Sequence, residues 1–351
     1  MIKKVVLKIK YNVEKIVLLI KTVYRIILPK KKIYILGVPL HGNIGDQAII
    51  YAEKIFLKEN FKKYKIVEIE STNVKRIINF LKKNIKTDDI LTVHGGGFIG
   101  SLWINEEIMF RCVVENFKEN NIIVFPQTVY FSNDEYGKSI LKDSKKSYGE
   151  TSNLTIACRE KYSYDFIKEE FPNINVILVP DIVLYLNKYK FKIPRNDVLF
   201  CIRSDKEKID YNYTNIEKVL REKYKMKIDY TDTVISKSIY EFKREKIFLN
   251  KLKQISKYKL MVTDRLHGMI FAYLTNTPCI VFENKSYKVR GVYEWIKNSK
   301  SLMLVSNSTS LEEINSFIEK NINGSIADFS IEKETFEPLV ECLSKKEYDA
   351  I

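Results

Sequence analysis

Residues 33–58 read IYILGVPLHGNIGDQAIIYAEKIFLK. Ile33–Val38 is apolar enough for a buried strand, and a helix is expected from about Asp46 to Lys58. The turn between them, Gly37-Val38-Pro39-Leu40-His41-Gly42-Asn43-Ile44-Gly45-Asp46-Gln47-Ala48, is rich in small residues. A strand, a glycine turn and a helix in succession aim the free N–H groups of the helix start at one point, where an anion is favoured. Gly42, Asn43, Gly45 and Asp46 are therefore candidate ligand contacts, with Asp46 also the expected N-cap. The turn lacks the GK[ST] ending of a P-loop and is not a GxGxxG fingerprint.

Outward from this unit, strand and helix patterns alternate. Strands are expected at Lys65–Ile69, Ile90–Val93, Ile122–Phe125, Leu154–Ala157 and Val176–Val179, with helices at Val74–Lys83, Glu106–Lys118 and Lys161–Glu170. A polar stretch around Lys188–Asn196 containing Pro194 is the expected boundary, after which the pattern restarts. Strands at Val198–Ile202, Met226–Tyr230, Leu260–Thr263, Cys279–Phe282 and Met303–Val305 alternate with helices at Ile216–Lys223, Phe242–Ser256, Leu266–Leu274 and Leu311–Lys320. The class is α/β, with two Rossmann-like domains (33–190 and 191–351) behind an N-terminal segment, 1–32. Ligands in such sheets bind beyond the carboxyl ends of the strands.

The rare residues concentrate there. The chain has three histidines, His41, His94 and His267, each followed by glycine, and eight of its twelve glycines lie beside them. His94-Gly95-Gly96-Gly97-Phe98-Ile99-Gly100 follows the strand Ile90–Val93. Three consecutive glycines cost chain entropy, which points to backbone N–H groups approaching a bound group, so His94, Gly95, Gly96 and Gly97 are candidate contacts. The stretch resembles an esterase oxyanion loop, but no G-x-S-x-G elbow accompanies it. The third turn, Thr263-Asp264-Arg265-Leu266-His267-Gly268, puts Arg and His in the first turn of a helix, against its macrodipole. A bound anion resolves that conflict. Arg265 suits a bidentate grip on carboxylate or phosphate, and His267 suits proton transfer near neutral pH. Arg159, Arg203, Gln127 and Glu283 also follow strands, the last suited to sugar hydroxyls. The histidines lie in distant turns without a DxD-type acidic pair, so no metal is expected.

With 351 residues, 45% apolar and 29% charged, the chain has the composition of a folded protein with more than one domain. Five scattered cysteines without a CxxC pair argue against a disulfide or zinc scaffold and suit a reducing compartment. No apolar run reaches a membrane-spanning length. Nine of the fifteen net positive charges fall within residues 1–32, where Val5, Val6, Ile9, Val13, Ile16, Val17, Ile20, Val23, Tyr24 and Ile27 recur at helical spacing. Such a basic amphipathic helix suits an anionic lipid surface, or packing on the body or on a second subunit. No nucleic-acid-binding signature is present.

Taken together, Gly42–Ala48, Gly95-Gly96-Gly97, Phe125-Pro126-Gln127, Arg159-Glu160, Pro180-Asp181 and Asp264–Gly268 resemble the polysaccharide pyruvyl transferase family. The resemblance covers about residues 33–285. It implies a fold like the two-domain GT-B glycosyltransferases and transfer of pyruvate from phosphoenolpyruvate onto two hydroxyls of a sugar, as a cyclic ketal. By the family analogy the Arg265-Leu266-His267 run is the donor site. Phosphoenolpyruvate is then a substrate, no cofactor is required, and the acceptor is a cell-surface saccharide or its lipid-linked precursor. A cytoplasmic location follows, with the first 32 residues suited to the inner face of the membrane. Two rivals keep the same architecture: a nucleotide-sugar-dependent glycosyltransferase, with Glu283 on ribose, and a non-catalytic saccharide- or membrane-binding protein.

Overall fold

A computed structural model describes residues 2–205, 209, 211, 213–284, 286–322 and 329–348; for residues 2–13, 15 and 345–348 it describes the backbone. The expected stripe positions Val5, Val6, Ile9 and Val13 thus have side chains outside the described residues. The chain builds two parallel sheets. The first contains β1 (Lys32–Val38), β2 (Lys65–Glu70), β3 (Ile90–Val93), β4 (Gly96–Gly100), β5 (Ile122–Tyr130), β6 (Leu154–Cys158) and β7 (Asn175–Leu178). Its order is β2-β1-β3-β5-β6-β7, with β4 also paired to β5. The second contains β8 (Asn196–Cys201), β9 (Ile228–Thr231), β10 (Tyr258–Thr263), β11 (Cys279–Phe282) and β12 (Leu302–Val305), in the order β12-β11-β10-β8-β9.

β1 is buried along its whole length and sits between β2 and β3, pairing Ile33 with Ile66 and with Ile90. A strand covered on both faces and both edges reads as a near-continuous apolar run, as Ile33–Leu36 does. The strand order reverses between β1 and β3 in the first sheet and between β8 and β10 in the second. At such points the loops diverge to opposite faces and leave a crevice. The turns after β1, β3, β8 and β10 are the ones carrying the glycines, Arg203, Arg265 and His267.

The lobes share one apolar core. Ile35 and Phe56 of the first lobe belong to the same buried cluster as Met261 and Phe271 of the second. The helix Ile44–Asn60 packs against the helix Glu241–Ile255. Asn43 and Val234 form an antiparallel bridge, flanked by hydrogen bonds from Ile44 N to Thr233 O (2.8 Å) and from Ile235 N to Gly42 O (2.9 Å). Beyond β12 the chain crosses back: Phe336 stacks edge-on against Tyr185 and Lys333 pairs with Glu59 at 2.6 Å.

Several elements differ from expectation. The helices Glu135–Tyr148, Lys288–Ile296 and Glu337–Tyr348 were not anticipated, since the first two bury only a narrow stripe within polar sequence. The largest difference is β4. Gly96–Gly100, expected as a loop, runs parallel to β5, with Gly96 opposite Gln127 and Ile99 opposite Val129. β5 extends through Pro126 to receive it. Glycine is needed at residue 100, where φ is +124° and a Cβ would overlap the Tyr130 carbonyl oxygen. Gly100→Ala is expected to cost about 1–3 kcal/mol of stability, read as a lower urea midpoint at unchanged m-value.

Candidate active site

Each lobe contributes a helix start to the crevice. In the first lobe Asn43, not Asp46, is the N-cap: its Oδ1 accepts the Gly45 N–H at 3.0 Å while its Nδ2 donates to Asp46 Oδ2 at 2.8 Å. Asp46 instead lies in the first turn, where its charge complements the macrodipole, 3.6 Å from His41 Nε2. Gln47 is structural. Its Nε2 donates to Pro39 O (2.7 Å) and its Oε1 accepts from Arg244 Nε (2.9 Å), tying the turn to the other lobe. Gly42, expected to admit a ligand, is a packing position, because a Cβ there would overlap the Ile235 carbonyl oxygen.

The second lobe presents the helix Leu266–Leu274, with Arg265 at its N-cap position and His267 in its first turn. The lobes are in close contact here. A Cβ on Gly45 would overlap the His267 ring at Nδ1. On its other side, His267 Nε2 lies 3.8 Å from Asp181 Oδ2. Burial lowers the His267 pKa; Asp181 and Asp46 oppose that shift, and Arg159 adds to it. The folded state thus favours the neutral ring, able to accept a proton.

Asp181 also binds Arg159 Nη1 at 2.7 Å, both groups being buried, and its Oδ1 accepts the Val183 N–H at 2.9 Å. Arg159 Nε donates to Thr128 Oγ1 at 2.9 Å, and its guanidinium lies against Gly97, where a Cβ would come within 3.1 Å of Nη2. Arg203 and Arg265 meet on one carboxylate: Asp205 accepts from Arg203 Nε at 2.8 Å and from Arg265 Nη1 at 2.6 Å. Arg265 Nη2 takes Asp232 at 2.8 Å. The Arg203 N–H donates to Asp264 Oδ1 at 2.8 Å, and burial pushes the Asp264 carboxyl up to about 6.

The fold therefore gathers Asn43, Gly45, Asp46, Gly97, Arg159, Arg203, Arg265 and His267 around the crevice. Other expected contacts serve different ends. Leu266 is buried in the shared core. The Gly95 N–H is taken by Glu53 Oε1 at 2.6 Å, and Gly96 lies in β4 beside β5 rather than in an open loop. Gln127 is fully buried, donating to His94 O at 2.7 Å and accepting from Phe98 N at 3.3 Å. His94 packs against Phe98 with ring centroids 4.7 Å apart and planes tilted by 37°, and burial drives its pKa down to about 4. Glu283 forms an ion pair with Arg290 rather than standing open to sugar hydroxyls. Asp181 and Asp264 are site residues whose roles were not anticipated, although both stand inside quoted motifs. Asp205 and Asp232 lie in loops with no local signature.

Two parallel Rossmann-like sheets facing a shared crevice define a GT-B-like α/β protein. Solved structures share this fold: a Klebsiella pneumoniae protein, KP1_0663, matches with a TM-score of 0.52 at 18% identity, covering 85% of this chain and 98% of that one. Staphylococcus aureus MnaA, solved with UDP, matches with a TM-score of 0.50 at 11% identity, covering 91% and 97%. The polysaccharide pyruvyl transferase family profile matches residues 43–286. The chain belongs to that family of enzymes. It is also 38% identical over 316 residues to General stress protein 30 of Bacillus subtilis strain 168, covering 89% of this chain and 91% of the relative. Pyruvyl transferase 1 of Schizosaccharomyces pombe is 28% identical over 272 residues, 72% of this chain and 66% of its own length.

The buried His94 makes stability depend on pH. Its imidazole titrates near 6.5 when unfolded and near 4 when folded, so the unfolded state binds more protons between those values. The His94 contribution is complete above pH 6.5 and declines as pH falls through 4, by roughly 3 kcal/mol in all. Urea midpoints from pH 7.5 to 4 are expected to fall less steeply for His94→Phe than for the unsubstituted chain.

Proposed function

We propose that this chain transfers the pyruvyl group of phosphoenolpyruvate to two hydroxyls of a saccharide, forming a cyclic ketal and releasing phosphate. The observation that carries the reading is the single carboxylate, Asp205, gripped by both Arg203 and Arg265 beside the helix start that bears His267. A pair of guanidinium groups holding one carboxylate is suited to the carboxylate of an anionic donor. Two helix N-termini and Arg159 supply further positive potential for its phosphate.

In the proposed reaction, carbon 3 of the donor gains a proton while one sugar hydroxyl oxygen bonds to carbon 2. A second hydroxyl oxygen then bonds to carbon 2 as its bond to the phosphate oxygen breaks, through an oxocarbenium-like state. Of the two hydroxyl protons, one is balanced by the new methyl group and the other leaves on phosphate. No oxidant or reductant is consumed. His267, favoured neutral by burial and adjacent to Asp181, accepts a hydroxyl proton and passes it on; Asp181 orients it and favours the transient imidazolium. The arginines hold the charge of the donor and of the departing phosphate. The family implies a polysaccharide acceptor, and a lipid-linked precursor is the proposed form.

Phosphate release from phosphoenolpyruvate, followed with a panel of sugar diols and product mass, tests this directly. His267→Gln is expected to lower kcat by about 10²–10⁴-fold without loss of fold. Stabilisation by nucleotide sugars alone, with no phosphate release, would overturn the reading. Asp205→Asn removes a carboxylate that competes with the donor for Arg203 and Arg265. It should lower the phosphoenolpyruvate KM by roughly tenfold, the equivalent of about 1.4 kcal/mol; an unchanged or higher KM would show that Asp205 does not compete with the donor.

A further inference from the structure

The N-terminal helix, Ile2–Ile27, turns most of the described part of its apolar stripe away from the protein, with Val23 half-buried at its edge. Ile16, Val17, Ile20, Tyr24 and Ile27 are 45–62% exposed. On an ideal helix they fall within about a 100° arc. The opposite side makes the attachment: Thr22 and Ile26 are buried, Arg25 Nη1 binds Glu241 at 2.9 Å and Glu14 lies 3.5 Å from Lys243. The body thus anchors this helix through Leu18, Thr22, Arg25 and Ile26, leaving a contiguous apolar face outward. Isolated exposed apolar residues need no explanation, but five along one helix face mark a contact surface.

We propose that this face docks on an anionic lipid surface. Charge decides between occupants. Residues 1–32 hold ten Lys or Arg against one acid. Lys21, Lys30 and Lys31 are exposed, and Lys21 follows Val17 by one helical turn at the border of the apolar arc. A cationic rim beside an apolar arc matches an interface of acyl chains and anionic headgroups. A second copy of this segment would bring the same strong positive charge against it. In the sequence the apolar spacing of three and four continues through Val13, Ile9 and Val6.

The helix direction gives the docking a consequence. Leu18, Thr22 and Arg25 line a small cavity with Val38, Leu40 and Glu70, at the carboxyl ends of β1 and β2. The helix therefore runs antiparallel to β1, with its N-terminal part toward the end of the sheet that carries the crevice. Lipid docking brings that end of the protein to the membrane surface. Among the described residues no helix is long and apolar enough to cross a membrane, so the docking proposed is peripheral.

Co-sedimentation of the full chain with vesicles tests the proposal, using phosphatidylcholine alone and its equal mixture with phosphatidylglycerol. Binding to the mixed vesicles, weakened at high salt, is expected. Ile16→Glu/Ile20→Glu should lower the partition coefficient at least about tenfold, with the thermal midpoint unchanged. Equal partition of the variant and the unsubstituted chain would overturn the proposal, as would absence of binding. A doubled mass in lipid-free solution that the double substitution abolishes, without vesicle binding, would assign the face to a second copy instead. The assay needs no donor or acceptor, so its outcome is separate from that of the pyruvyl-transfer test. Phosphate release with a soluble acceptor should be unchanged in the double variant.

Discussion

The abutment of the Gly45 backbone on the His267 ring is the constraint from which the rest of the site follows. It brings two helix starts, one from each lobe, to the same place. Each start carries a partial positive charge from its unpaired N–H groups. Two such ends, together with Arg159, Arg203 and Arg265, would repel one another in a buried crevice unless negative charge were supplied. Asp46, Asp181, Asp205, Asp232 and Asp264 supply it from the chain itself. The site is therefore a balance of opposite charges in a space where water screens poorly.

Burial sets the terms of that balance. The Arg159–Asp181 pair is almost wholly removed from water, so its desolvation cost offsets much of its Coulomb attraction. Its effect is geometric. Bonds to Thr128 and Asp181 hold the guanidinium against Gly97, while Asp181 also faces His267. Burial has opposite consequences for the two titrating groups nearest the crevice, since it disfavours the charged form of each. It lowers the imidazole of His267 and raises the carboxyl of Asp264 to about 6. At the start of one helix, burial thus favours a neutral imidazole and a carboxyl that holds its proton more tightly than usual.

Much of the fold was legible because each parallel strand is buried on both faces and reads as an apolar run, and because glycine turns mark the carboxyl ends. The third turn stood out for a different reason: Arg265 and His267 oppose the helix macrodipole, and the structure sets Asp205, Asp232 and Asp181 against them. The glycine run misled. Three glycines look the same whether they expose N–H groups to a ligand or let a backbone lie flat against a neighbouring strand, and β4 is the second case. Asn43 caps the helix where Asp46 was expected to, because both are good caps and only the three-dimensional start of the helix separates them. Asp205 and Asp232 could not be read at all. Their importance arises from meeting Arg265 across distances of 60 and 33 residues, which no local pattern encodes.

The shared core explains why so charged a site keeps its geometry. Were the lobes joined only by a linker, the repulsion of two positive helix ends would favour separation. Instead, Phe56 and Phe248 belong to one apolar cluster, and Arg244 reaches across to Gln47 at 2.9 Å and Glu68 at 2.9 Å. Apolar burial behind the crevice holds the helix starts together, and the aspartates neutralise them where they meet. On the proposed reading, an anionic donor would exchange one set of negative charges for another, a substitution between competing carboxylates rather than the filling of an uncompensated positive pocket. On that reading, a donor with two charged groups would displace more of the array than a lone small anion that satisfies only part of it.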